Sequence, residues 1–254
     1  MKSRFLLAAL AVLALGIPAD ARAQGEVTLL SPNPIKETVD KLVADYQAKT
    51  GTKVAVTYGT GVGTRKTVAS GGALDATLLF APFQDALKTG NVDPRSATVV
   101  ATLRLAIAVK KGAPKPDIST VAAVKKTLLN AKSIISVDPA QGSVGGAALL
   151  ALDKMGITDQ VKPKIKWVPG GGEVQDSVAK GETEIAFGPY LSDMRNPGLD
   201  VVGALPPAAA TPIDITGFVA TNAKDPKAAR ALLAYFKSRD AAPVWEAAKA
   251  FPVR

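Results

Sequence analysis

Residues 133–155 read SIISVDPAQGSVGGAALLALDKM. Ser133-Ile134-Ile135-Ser136 has the β-branched character of a strand, and Ala147 to Met155 is an Ala/Leu-rich stretch that reads as helix. Between them VDPAQGSVGG, residues 137–146, is a turn of small residues. Strand, small-residue turn, helix is the building unit of an α/β fold. The turn also raises a chemical question. The start of a helix presents backbone N–H groups without carbonyl partners and a partial positive charge, so it can cradle an anion. It can equally be an ordinary connection, and the rest of the chain has to decide.

The same rhythm recurs on both sides. Val27 to Leu30 reads as strand, ending at Ser31-Pro32-Asn33, with Asn33 as the expected helix cap and Pro34 at the first helical position. Ile35, Val39, Leu42, Val43 and Tyr46 then form one apolar helical face, and Gly51 stops it. Lys53 to Thr57 is a strand leading into Tyr58-Gly59-Thr60-Gly61-Val62-Gly63-Thr64. Ala76 to Phe80 lacks alternation, as expected of a strand buried on both faces. Leu103 to Val109 reads as another strand, followed by KKGAPKPD, a break between regions. Ile165 to Val168 runs into Gly170-Gly171-Gly172 and a helix to Lys180, and Glu184 to Phe187 runs into Gly188-Pro189-Tyr190. Val201-Val202 precedes a second proline-rich junction, GALPPAAATP, and the tail from Asp225 to Arg254 reads as helical.

Two βα blocks separated by two junctions predict an α/β protein of two lobes. Each lobe should be a mostly parallel sheet flanked by helices, with a ligand cleft between the lobes. The expected boundaries are 24–107 with 207–254 for lobe one and 108–206 for lobe two.

Residues 1–23 stand apart. Lys2 and Arg4, an apolar run from Phe5 to Ile17 and Ala21-Arg22-Ala23 make a cleavable secretory signal peptide, too short for a membrane span. The expected destination is a bacterial periplasm. Cleavage takes away three of 31 basic and one of 22 acidic residues, leaving a net charge of about +7 on 231 residues. The lysines are scattered and aromatic residues make up only 5% of the chain, which argues against nucleic acid; the positive charge suits a small anionic ligand, and general solubility explains it equally well. Cysteine and histidine are absent. That excludes disulfides, thiolate chemistry, Cys/His zinc sites and Ser-His-Asp triads, and no metal or cofactor is expected.

Ligands of open α/β sheets sit beyond the carboxyl ends of the strands. Here those ends carry Ser31, Tyr58 to Thr64, Asp138 to Ser143, Gly170 to Glu173 and Gly188 to Tyr190. The segment GTGVGT is neither a dinucleotide fingerprint nor a Walker sequence, and reads as a short nest of backbone N–H groups or as a plain turn. Arg65 can pair with a carboxylate in two-pronged fashion or stand in solvent. Asp138 suits shaping its loop through backbone hydrogen bonds. Ser143 can donate to a ligand or cap its helix, and Tyr190 can reach a cleft or pack beneath the loop.

With these residues in view, the chain resembles the periplasmic solute-binding proteins of ABC transporters, most closely the molybdate-binding type. IKETVDKLVADYQAKTGTKVAVTYGTGVGTRKTVASGG is similar to that family's first helix, second strand and glycine turn, and ISVDPAQGSVGGAALLALDKMG to its Asp-Pro turn and helix. EIAFGPYLSD, GLDVVGALPP and the final helices extend the resemblance over nearly the whole chain after the signal. It implies a type II two-lobed scaffold that closes on one small anion and passes it, as a monomer, to an inner-membrane permease or a periplasmic sensor. Carried over by position, the ligand contacts are Ser31, Thr60, Gly61, Gly142, Ser143 and Tyr190, with Arg65 added by the reading of its own chemistry. The departures from the family pattern are Leu29-Leu30 before Ser31, Gly-Thr-Gly at 59–61, Phe80-Ala81-Pro82-Phe83, and Arg65 itself. They extend the ligand from a molybdate-type oxyanion to a small organic carboxylate. The resemblance also admits an exported isomerase that shifts a proton on a tricarboxylate, of the aconitate isomerase kind. Without histidine its base would come from a carboxylate, lysine or tyrosine, and Asp138, Tyr190 and Lys66 are nearest by position.

Overall fold

The computed structural model describes residues 26–191 and 196–253, so the expected signal peptide lies outside the described residues. Two mixed sheets flanked by helices form the two lobes. The first contains β1 (Val27–Pro32), β2 (Val54–Gly59), β3 (Ala76–Phe80), β4 (Thr98–Leu103), β10 (Ile213–Val219) and β11 (Phe251–Pro252) in the order β11-β4-β10-β3-β1-β2. The second contains β5 (Leu105–Lys110), β6 (Ile134–Val137), β7 (Ile165–Val168), β8 (Ile185–Pro189) and β9 (Leu199–Ala204) in the order β7-β6-β8-β5-β9. Helices α1 (Lys36–Thr50), α2 (Gly61–Ala69) and α3 (Gln84–Leu87) connect the strands of the first block. In the second, α4 (Val121–Asn130), α5 (Ser143–Met155), α6 (Thr158–Val161) and α7 (Gly171–Lys180) do so, and α8 (Pro226–Phe236) and α9 (Ala242–Ala247) close the chain.

The βα units behave as their sequence predicts. β1 pairs parallel with β2 and β3, and β6 pairs parallel with β7 and β8, because each pair is joined by a helical crossover. The remaining strands pair antiparallel, so the expectation of mostly parallel sheets is refined to mixed ones. The cause is the chain's passage between lobes. The single strand read over Leu103 to Val109 is two strands in different sheets, and the chain changes sheet at Arg104. The stretch KKGAPKPD therefore lies inside the second lobe, between β5 and α4. The chain returns between Ala204 and Ile213.

Local differences have local reasons. Pro32 is extended, at φ −67° and ψ 137°, and Ile35 leaves helical geometry at φ −115° and ψ 17°, so the chain makes a 3-10 turn over Asn33–Ile35 with no side-chain cap, and α1 starts only at Lys36. The tail holds two helices and a short strand instead of one helical run. Trp245 of α9 is fully buried there and donates its indole N–H to Phe236 O at 2.9 Å.

Apolar side chains of both sheets and their flanking helices form one contiguous cluster, running from Val39 and Leu42 through Phe80, Leu103 and Leu105 to Phe187 and Leu152. Among the described residues, no helix is long and apolar enough to cross a membrane.

Asp75 ties the first lobe together from inside. It is 2% exposed, and its Oδ2 accepts from the Thr28 N–H and hydroxyl, both at 2.8 Å. Its Oδ1 accepts from the Lys224 N–H at 2.6 Å, ahead of α8, and its carbonyl accepts from Ala220 N at 2.9 Å. Burial pushes its carboxyl pKa up, but the donors from Thr28, Lys224 and Asp225 outweigh burial and hold it below the ordinary 3.8. A depressed folded pKa contributes stability that is complete above the unfolded value and lost as pH falls through the folded one. Asp75→Asn turns one acceptor into a donor facing N–H groups. It should cost about 1.5–3 kcal/mol at neutral pH, the range for hydrogen bonds to a charged group. Urea titrations of both proteins from pH 7 down to pH 2 should show this gap start to narrow near the ordinary carboxylate value, about pH 4, and close only as pH falls through the lower folded pKa, where Asp75 of the wild type also becomes neutral.

Candidate functional site

The parallel strands of both sheets end toward one place. There the lobes enclose a cavity of about 330 Å³. Lobe one contributes Asn33 and Pro34 after β1, Thr60 and Gly61 at the start of α2, and Phe80 at the end of β3. Lobe two contributes Val137 at the end of β6 and Gln141 to Val144 at the start of α5. It also contributes Pro169 to Gly172 with Val174 and Gln175 at the start of α7, and Phe187 to Pro189 with Leu191 after β8.

Three helices thus begin against this cavity. The first is capped by its own chain: the Thr60 hydroxyl accepts from Gly63 N at 2.8 Å. The other two have glycine caps, Gly142 for α5 and Gly170 for α7, and neither carries a side-chain cap. A serine or aspartate at these positions would occupy the leading N–H groups. Glycine leaves them to whatever fills the cavity. The remaining wall is largely apolar, with Phe80, Val137, Val144, Val174, Phe187 and Leu191. Among the described residues lining the cavity, none carries a titratable side chain, and no group of three His, Cys, Asp or Glu could hold a metal ion among the described residues.

Two glycines set how closely the parts approach. A Cβ on Gly61 would lie 3.1 Å from Ser143 Oγ, 3.3 Å from Ser143 N and 3.6 Å from Phe80 Cδ2. The start of α2 therefore meets Ser143 at the start of α5 across the lobe boundary with no side chain on Gly61 to hold them apart. A Cβ on Gly145 would fall 2.0 Å from Val137 O and 2.7 Å from Pro139 N, so α5 is pressed directly on the backbone of the turn below it.

Of the residues expected in the site, Thr60, Gly61, Gly142 and Ser143 line the cavity. Ser31, Arg65 and Tyr190 are not in its wall. Ser31 is fully buried, with a hydroxyl that finds no hydrogen-bond partner. Tyr190 is half-buried and donates its backbone N–H to Arg104 O at 2.7 Å, next to the chain crossing. Arg65 stands just behind the wall. Its Nη1 donates to Ser143 Oγ at 2.5 Å and Gly61 O at 3.4 Å, and its Nε to Asp85 Oδ2 at 3.2 Å. Asp138 shapes its turn, accepting from Ala140 N at 2.8 Å through Oδ1 and from Gln141 and Gly142 N–H groups through its carbonyl. Lys66 is exposed on α2. Neither Asp138 nor Lys66 lines the cavity.

The site also contains residues that the pattern did not single out as contacts. Gly170 to Gly172 and Gly188 were visible as strand-end glycines. Asn33 and Pro34 read only as a helix start, Gln141 and Val144 only as parts of the turn at 137–146, and Phe80 only as a strand end and a departure from the family pattern, while Gln175, Val174 and Phe187 carry no signal beyond their helix or strand.

A family profile described as bacterial extracellular solute-binding protein matches residues 27–248. An aconitate isomerase from a Pseudomonas species is 31% identical over 234 residues, covering 89% of this chain and 88% of that protein. Among solved structures, the periplasmic molybdate-binding protein of Azotobacter vinelandii superposes with a TM-score of 0.69 at 16% identity, covering 90% of this chain and all of the other. A periplasmic thiamin binding protein superposes with a TM-score of 0.74 at 14% identity, covering 93% of this chain and 86% of that one.

Gly145→Ala should cost about 1–3 kcal/mol, or more if the turn cannot move, because backbone atoms and not a flexible side chain stand in the way. Chemical denaturation measures the loss. A variant as stable as the wild type would mean that α5 is not seated this closely.

Proposed function

The chain belongs to the bacterial extracellular solute-binding proteins, and from that premise we propose that it captures a small organic anion with several carboxylates between its lobes, for delivery by an ABC importer. The observation that carries this reading is the cavity at which three helices begin, two of them under glycine caps. Donors already aimed at an anion hold it without reorganising, and in a partly closed cleft they act through a low dielectric.

Size and lining support an organic ligand over a bare oxyanion. A cavity of about 330 Å³ falls in the size range of small-molecule sites. A tetrahedral oxyanion would leave most of that space unfilled. Apolar walls suit a carbon skeleton, and the donors suit its carboxylates. Export to a periplasm, with a permease as the partner, accords with the basic and apolar pattern of residues 1–23 and with the family.

A second reading is favoured by one observation, the similarity to an aconitate isomerase over most of both chains. In that case the same cavity would hold a tricarboxylate while a proton moves between two carbons. Such a step needs a base within hydrogen-bond reach. The described wall supplies hydroxyls, amides and backbone groups, so the binding role is the reading the geometry supports better.

Titration calorimetry with cis-aconitate, trans-aconitate, citrate, molybdate, tungstate and sulfate separates these readings. A tricarboxylate should bind at least tenfold more tightly than molybdate, a difference of about 1.4 kcal/mol. Preference for molybdate would defeat the organic-anion reading. Incubation with trans-aconitate, followed by chromatography for the cis isomer, should show no turnover. Steady conversion would make the protein an isomerase.

A further inference from the structure

We propose that Arg65 is a positioning residue that acts through Ser143, compelling that hydroxyl to donate into the cavity, and only while the two lobes are together. The proposal rests on the reading of the cavity as an anion site and concerns how that site becomes selective.

Hydrogen-bond inventory leads to it. A guanidinium has donors and no acceptor, whereas a serine hydroxyl has one hydrogen and two lone pairs. Arg65 Nη1 lies 2.5 Å from Ser143 Oγ, so the serine oxygen must be the acceptor. Its hydrogen points elsewhere, and Ser143 lines the cavity as the first residue of α5. A hydroxyl that accepts from a cation is polarised into a better donor. The arginine side chain is only 12% exposed, so solvent screens the contact little.

The arginine is held from its own lobe. Asp85, beyond β3, takes its Nε, and Gly61 O takes part of Nη1. Both partners belong to lobe one and Ser143 to lobe two. Gly61 makes the reach possible, because any side chain there would meet Ser143 first. Separating the lobes therefore removes the arginine from the hydroxyl, which is then free to rotate and to accept.

The consequence is chemical selectivity. With the lobes together, the helix-start N–H groups and Ser143 Oγ–H all donate. A carboxylate, which only accepts, satisfies them. A carboxamide in its place presents an NH2 where a carboxylate oxygen would accept, which sets donor against donor and leaves a buried group unpaired. The arginine thus favours carboxylates without touching them.

The test uses the mature chain with Arg65→Gln, Arg65→Lys, Ser143→Ala and the Arg65→Gln/Ser143→Ala double variant. Calorimetry with trans-aconitate should give about tenfold weaker binding for Arg65→Gln and for Ser143→Ala. The double variant should be no weaker than Ser143→Ala alone, and Arg65→Lys, which still donates, should keep most of the affinity. Losses that multiply in the double variant would overturn the proposal, since Arg65 would then act independently of Ser143. So would wild-type affinity in Arg65→Gln. The chain has no cysteine, so spin labels at Lys41→Cys on α1 and Leu150→Cys on α5 report lobe separation without ligand. Arg65→Gln should lengthen that distance, and an unchanged distance would overturn the lobe link. If the wild type binds none of the anions, the function proposed above falls, and this ligand-free distance still decides whether Arg65 joins the lobes.

Discussion

Backbone N–H groups at the start of a helix have no carbonyl within that helix to receive them, and burying them unanswered is costly. This protein begins α2, α5 and α7 against one cavity, and caps the last two with glycine. Much of the remaining architecture serves that arrangement. Parallel strands must all deliver their carboxyl ends to the same side, so βα units on both lobes bring their helix starts to a common boundary. Small residues follow in the turns because the backbones have to meet, as Gly61 meets Ser143 and Gly145 meets Val137. Apolar side chains fill the spaces between the donors and keep water from competing for them.

Charge enters at two ranges. The cavity wall itself contributes dipoles and hydroxyls instead of countercharges among its described residues. A full cation in the wall would hold any anion strongly and select poorly among them. Arg65 stays one atom group removed, balanced by Asp85. The excess of 31 basic over 22 acidic residues acts at long range, raising the local concentration of anions without choosing between them. Identity of the ligand is left to loop residues on a scaffold that tolerates their variation.

Much of the scaffold was legible in the sequence, and the reasons are periodic. Strands such as ATLLF at 76–80 and helices such as α1 announce themselves by burial pattern, and Gly51 terminates α1 in the left-handed conformation at φ 72°. β10 falls where the sequence reading assigns no element. Its IDITGFV is broken by Gly217, and the structure explains the glycine: a Cβ there would lie 2.5 Å from Leu233 Cδ2 of α8. The lobe crossing was misplaced for a different reason. Proline and glycine mark turns, but the passage between sheets is made in extended backbone at Arg104, with no turn chemistry to mark it. In the site, glycine turns could be recognised because their requirement is local. The apolar wall could not, since a valine facing a ligand and one facing the core follow the same pattern. Nor could the partner of Arg65, which lies 78 residues away on the other lobe.

The place of β10 has a consequence for how the molecule is made. It lies between β3 and β4, strands that are near neighbours in sequence but never pair with each other. The centre of that sheet stays vacant until residues 213–219 arrive, after the whole intervening lobe. Contacts of such long sequence separation make folding slow and defer cooperativity to its end. A nascent chain lacking β10 exposes two strand edges and cannot close its first core, so it remains extensible and protease-sensitive. Closure of the first core therefore waits on a strand that arrives more than a hundred residues after the strands it joins, and any chain that ends before residue 213 leaves that sheet open at its centre.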